Sequence, residues 1–153
     1  MIGLALVLAL LPRDALGTYD SWGAFRDDSP LRCFAIAKPV GKHSDPQPFA
    51  SIATWPRDGV RNQLHVRLSR ARAANARVTL SIGERRFELK AGDADAWAPD
   101  ARTDGAVVAA IRSGRSMSVE TVAANGAPFA DTYALKGAAT AIDAAVLGCV
   151  GRR

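Results

Sequence analysis

Leu64, Val66 and Leu68 alternate with Gln63, His65, Arg67 and Ser69. A period of two puts one set of side chains on a buried face and the other on a wet one, so this stretch reads as a strand. The alternation returns at Val78, Leu80 and Ile82, then at Phe87 and Leu89, with Gly83-Glu84 as the turn between them. Met117 and Val119 resume it opposite Ser116, Ser118 and Glu120. Asn125-Gly126 supplies the positive φ angles of a tight hairpin, and Phe129 to Leu135 is the return strand. Earlier in the chain, Cys33 to Ala37 and Phe49 to Trp55 read as strands, the second stopped by Pro56 and followed by an Asp58-Gly59 turn. Lys42 to Pro48 is a loop, and Asp93 to Asp100 an acidic, irregular one around Trp97 and Pro99.

Two segments change period. Val107, Val108 and Ile111 share one side of a helix that Thr103 or Asp104 can cap and Gly114 can end. Ala138 to Leu147 is a short Ala-rich helix after Gly137. The pattern predicts a mainly β chain: an antiparallel β-sandwich of about seven short strands with two short peripheral helices. Trp55 and Trp97 are the expected large core fillers. No βαβ rhythm, internal repeat or long linker interrupts the pattern.

The first residues do not belong to it. Ile2 to Leu11 is an apolar run about ten residues long, against the roughly 20 a bilayer-spanning helix needs. Residues 1–17 read as a secretory signal peptide, with Ala15 and Gly17 as the small residues before a cut at Thr18. A buried N-terminal helix is the competing reading. Residues 18–153 are then a single domain, periplasmic or secreted, that does not span the membrane after cleavage.

Export changes how the two cysteines are read. An even count in an exported chain argues for a disulfide between Cys33 and Cys149. It would close a loop of more than 110 residues, worth about 4–5 kcal/mol in the chain-entropy picture. Two separate buried thiols are the alternative. Two cysteines without a histidine cluster do not make a metal site, and no metal or other cofactor is expected.

Charge adds a second candidate feature. The net charge is +5, carried by 16 Arg and 4 Lys; with the abundant Ala, the Arg bias points to a GC-rich bacterial genome. Arg67, Arg70, Arg72, Arg77, Arg85 and Arg86 lie around two adjacent turns. They form a possible patch for anionic lipid headgroups or a partner protein; a solvated edge is the plainer account. Single-stranded nucleic acid would want aromatic platforms among those charges, and only Phe87 is near, so no nucleic-acid partner is expected.

Catalytic signatures are missing. His43 sits in a Pro-flanked loop and His65 on the polar face of a strand. Ser51, Ser69, Ser116 and Ser118 lie outside any Gly-x-Ser-x-Gly elbow. Asp93, Asp95, Asp100 and Asp104 do not fit an EF-hand, because Trp97 and Ala98 stand where a ligand and a glycine belong. They read as a solvated loop with a helix cap. The three Glu are not grouped for glycosidase chemistry.

Several segments, taken in order, resemble one family. They are Trp22-Gly-Ala-Phe25, Arg32-Cys33-Phe34-Ala35-Ile36-Ala37, Pro48-Phe49-Ala50-Ser51-Ile52-Ala53, Gly114-Arg115-Ser116-Met117, Asp131-Thr-Tyr-Ala-Leu-Lys-Gly137 and Gly148-Cys149. Together they resemble the exported invasion-associated locus B family of alphaproteobacteria, in a divergent sphingomonad-type branch. Many members carry a further cysteine shortly after the first Trp; Phe25 and Arg26 occupy that region here. The resemblance implies a small exported β-sandwich without known enzymatic chemistry. The expected role is therefore binding, to an envelope protein or an anionic envelope component. A lipid-binding sandwich would instead show an apolar cavity between its sheets. A hydrolase would bring His65 or His43 within about 3 Å of a Ser and an Asp.

Overall fold

From Trp22 to Phe25 buried and half-buried side chains alternate, and Arg26 to Asp28 carry the same strand on with none of them buried. The computed structural model describes residues 13–152. Among them the strands are β1 (Arg13–Tyr19), β2 (Trp22–Asp28), β3 (Leu31–Ala37), β4 (Phe49–Trp55), β5 (Val60–Arg67), β6 (Val78–Ile82), β7 (Arg85–Ala91), β8 (Asp95–Trp97), β9 (Ser116–Val122) and β10 (Pro128–Ala134). Helix α1 (Ala101–Ser113) follows β8, and α2 (Ala138–Gly148) follows β10.

All ten strands join in one antiparallel sheet, in the order β1-β2-β3-β4-β5-β8-β7-β6-β9-β10. The long sheet folds back on itself as a sandwich. Its last strand returns beside its second, where Trp22 Nε1 donates to Ala134 O at 2.8 Å. Close by, the Val40 N–H donates to Thr132 O at 2.8 Å. The mainly β, sandwich-like class is as expected, but with ten strands rather than about seven. The extra strands are β1, β2 and β8. β2 hides behind a polar end: Arg26 pairs with Asp14 of β1 and with Asp28 of its own strand, and Asp27 pairs with Arg32 of β3. β8 lies inside the predicted acidic loop, where three residues suffice to bridge β5 and β7.

Of the stretch read as a leader, residues 1–12 lie outside the described residues, whereas Arg13 to Gly17 form most of β1. The small residues read as a cleavage motif sit at the irregularity in β1–β2 pairing between Ala15 and Gly17.

The core lies between the folded halves of the sheet and the two helices. Trp22, Tyr133, Ile52, Leu64 and Leu80 are its largest buried side chains from the strands. Ile111 from α1 and Ile142 from α2 complete it, α2 packing over β1–β4 and α1 over β5. Trp55 and Trp97, expected as core fillers, are instead half-buried on the sheet's outer face. Trp22 takes the central place because β2 begins where the sandwich closes.

Caps also differ in detail. Asp100, not Thr103 or Asp104, caps α1, accepting the Thr103 N–H at 2.7 Å. Asp104 is buried, and its Oδ1 accepts the Leu64 N–H at 2.9 Å, tying α1 to β5. Gly114 ends α1 with an extended backbone. Glycine is needed there for space, since a Cβ would stand 2.5 Å from Ile82. Cys33 and Cys149 form the expected disulfide, joining β3 to the residue after α2 across a separation of 116 residues.

Candidate binding site

β3 and β4 are apolar on both faces. Cys33, Ala35, Ala37, Ala50 and Ile52 face the core. The alternate residues Phe34, Ile36 and Phe49 must then stand on the other face, which neither α1 nor α2 covers. β2 adds Gly23, opposite Ile36, and Phe25, opposite Phe34. The Phe25 ring lies over Gly23, where a Cβ would meet it at 2.8 Å, and stacks on Phe34 with centroids 5.7 Å apart.

One end of this outer face is closed by charge. The Arg32 guanidinium lies 4.2 Å from the Phe34 ring centroid and 5.1 Å from that of Trp55. Asp27 holds Arg13 at 2.7 Å and Arg32 at 2.9 Å. Partial burial alone would raise the Asp27 carboxyl; hydrogen bonds from Arg13 and Arg32 outweigh it and hold the group below the ordinary carboxylate range.

The other end opens into a cleft of about 600 Å³. Its walls are Gly23, Phe25, Ile36 and Phe49 from the sheet, with Pro39 and Val40 from the following loop. Trp22 and Ala134 meet behind it. Val40 is 57% exposed, a large aliphatic side chain left in water at the cleft. The loop is held there by the Val40–Thr132 backbone bond and by His43, whose Nε2 lies 3.0 Å from Val40 O. Two ionisable residues line the cleft, Lys38 and Asp20, and Asp20 is 3.9 Å from Lys136. An apolar concavity with few polar groups at its margin is the usual form of a small-ligand site. The apolar opening is thus on the outside of the sheet, while the space between the sheet halves is filled by the core.

Farther along the same face, His65 stands between Phe49, edge-on at 5.1 Å, and Trp97, stacked at 5.1 Å and 8°. His65 Nε2 lies 2.8 Å from Asp95 Oδ1, and Arg67 is 3.5 Å from the other oxygen. The histidine and acid of a hydrolytic triad are therefore together. Ser51 is the cross-strand neighbour of His65, yet no hydrogen bond joins them, and the ring nitrogen facing Asp95 is already used. A triad needs that third link.

The six arginines are spread over different surroundings. Arg67 is on the outer face beside Asp95. Arg72 is spent on the backbone, donating to Gly92 O at 2.6 Å, Ala91 O at 3.1 Å and Ala76 O at 2.9 Å. Arg70 lies over Phe129 and Arg85 over Phe87. Arg77 is 3.8 Å from Glu88. Arg85 and Arg86, adjacent in β7, point to opposite faces. Of the four aspartates, Asp95 is in β8, Asp100 caps α1 and Asp104 is within α1, buried against β5. Among the described residues no three His, Cys, Asp or Glu side chains are placed to hold a metal ion. No helix there is long and apolar enough to cross a membrane.

No motif marked Phe25, Ile36, Val40 and Phe49 as cleft residues, although Phe25, Ile36 and Phe49 lie in the segments that carried the resemblance. For Ile36 and Phe49 the signal was the loss of alternation in Leu31–Ala37 and Phe49–Trp55, whereas Phe25 and Val40 lie outside those stretches.

The model of the family described as invasion-associated locus B protein matches residues 24–146. The crystal structure of invasion-associated protein B from Bartonella henselae is similar, with a TM-score of 0.60 at 16% identity. The match covers 86% of this chain and 95% of that one. No match is found among curated proteins.

Proposed function

Because this chain belongs to the invasion-associated locus B family, we propose that it is an exported binding domain rather than an enzyme, and that it binds through the cleft between Phe25, Ile36, Val40 and Phe49. The observation that carries this reading is the cleft itself: among the described residues, aromatic and aliphatic side chains left open to water on a sheet face that neither α1 nor α2 covers. Exposed apolar concavities of this kind mark binding sites more often than they mark surface filler. The Cys33–Cys149 bridge is in keeping with a periplasmic or secreted location, where disulfides persist. In this reading the export leader is the apolar stretch ahead of β1. The partner is a component of the cell envelope that offers an apolar group.

Immobilised domain exposed to a solubilised envelope fraction tests the reading. Val40→Glu places a charge in the cleft at an exposed position and should release the retained component. Arg77→Ala with Arg86→Ala should retain it. Loss in the arginine variant and retention in Val40→Glu would move the site to the basic residues.

A further inference from the structure

Resting on that reading of the cleft, we infer that its ligand is a single-chain alkyl carboxylate of the fatty-acid type, its chain along Phe25, Ile36 and Phe49 and its carboxylate at Lys38.

The walls decide the body of the ligand. Polar groups are few and lie at the cleft's edge, among them the hydroxyls of Thr18 and Ser21, and two more are engaged: Trp22 Nε1 donates to Ala134 O, and the Gln47 amide donates to Pro48 O at 3.0 Å. A rigid polar ligand would bury donors and acceptors against Phe25, Ile36 and Phe49, which cannot answer them, at a cost. A flexible alkyl chain has none to bury, and gains by leaving water in proportion to its length. The walls come from three neighbouring strands, since Gly23 pairs with Ile36 and Ile36 with Ser51 beside Phe49. Strands about 4.8 Å apart give a run about 10 Å across the sheet, room for one extended chain.

Charge decides the head. Asp20 has Lys136 beside it, whereas Lys38 is exposed and makes no ion pair among the described residues. Counting Lys38, Lys136 and Asp20, the mouth carries one net positive charge, which favours an anion over a cation or a neutral alcohol. An ammonium on a flexible stem suits a small carboxylate as a point charge.

Titration of the disulfide-bonded domain with octanoate, dodecanoate and dodecyltrimethylammonium, followed by tryptophan fluorescence and calorimetry, tests the inference. Binding should be saturable, with dodecanoate tighter than octanoate by about tenfold or more. Dodecyltrimethylammonium should bind more weakly than dodecanoate. Lys38→Glu should weaken dodecanoate by about three- to tenfold, as expected for one exposed charge contact, and narrow or reverse the head-group preference. Val40→Glu should abolish saturable binding, with circular dichroism showing that the fold is kept. Equal affinity for the two heads, no dependence on chain length, or binding unaltered in Val40→Glu would each overturn the inference. If dodecanoate fails while the envelope component still depends on Val40, the fatty-acid assignment falls and the cleft stands as a site for a protein's apolar side chain.

Discussion

Leu16 of β1 occupies the space that a side chain at Gly148, the last residue of α2, would need: a Cβ at position 148 would stand 2.5 Å from Leu16 Cδ1. β1 is thus packed on the helix as well as paired with β2. Arg13–Asp27 and Arg26–Asp14 ion pairs fix the same strand, and Arg26 also donates to Gly148 O at 3.4 Å. A chain starting at Thr18 should therefore be less stable than one starting at Arg13, by about 2–4 kcal/mol for one large side chain and two partly exposed ion pairs. Urea unfolding of the two chains measures the difference. Matching midpoints would mean β1 is ornamental to the fold.

The same corner is fastened covalently. The Cys33–Cys149 bridge ties β3 to the end of α2 across 116 residues of sequence. Replacing both cysteines with Ala should cost about 2–5 kcal/mol, the usual range for removing a native bridge. Thermal unfolding with and without reductant should show the same loss in the parent protein and no effect in the double variant.

Asp104 and Asp27 set opposite pH dependences. Burial pushes the Asp104 carboxyl above the ordinary carboxylate range; the Leu64 N–H it accepts opposes this, and the charge of Asp100 reinforces it. A value raised in the folded state means the folded protein keeps that proton longer. Its contribution is complete below the unfolded value and is lost as pH rises through the folded one. Asp27 is lowered, so its contribution is present above the unfolded value and lost as acid carries pH down through the folded one. Asp104→Asn keeps an acceptor for Leu64 without the charge. At neutral pH it should be at least as stable as the parent, with its advantage shrinking in acid. Asp27→Asn should lose stability at neutral pH and converge with the parent in acid. Denaturant midpoints measured from acid to neutral pH check both signs.

Arg72 and Arg86 separate structural from surface arginine. The planar guanidinium of Arg72 reaches carbonyls of Ala76, Ala91 and Gly92 at once, which the point charge of a lysine cannot reproduce. Arg72→Lys should destabilise by about 1–3 kcal/mol. Arg86→Ala should change stability by no more than about 0.5 kcal/mol. A large effect of Arg86→Ala would restore the case for a built basic site around the β6–β7 turn.

Much of the frame was legible from alternation and turns. Val78 to Ile82 and Ser116 to Val122 each have one wet face, so period two marks them. Gly137 was legible as a break for a stronger reason than breaking. Its φ is +88°, and a Cβ there would run into the Tyr19 backbone. What escaped the pattern was whatever depended on long-range partners. The strand through Arg26, Asp27 and Asp28 escaped because Asp27 is matched by Arg13 and Arg32, and Arg26 by Asp14, on other strands. Asp104 read as a cap because its acceptor role is to a strand 40 residues earlier. The arginines read as one patch because sequence spacing does not show that Arg72 turns inward to the backbone. The cleft needs β2, β3, β4 and the loop at Val40 to meet, and no local window holds all four.

The central claim is that this domain binds through the outer-face cleft. Backbone amide chemical shifts, recorded while a detergent-free lipid extract of the envelope is titrated in, test it most directly. Changes should concentrate at Gly23, Ile36, Lys38, Val40 and Phe49 and be absent in Val40→Glu. Changes centred instead on Arg70, Arg77 and Arg86, or on His65 and Asp95, would contradict it.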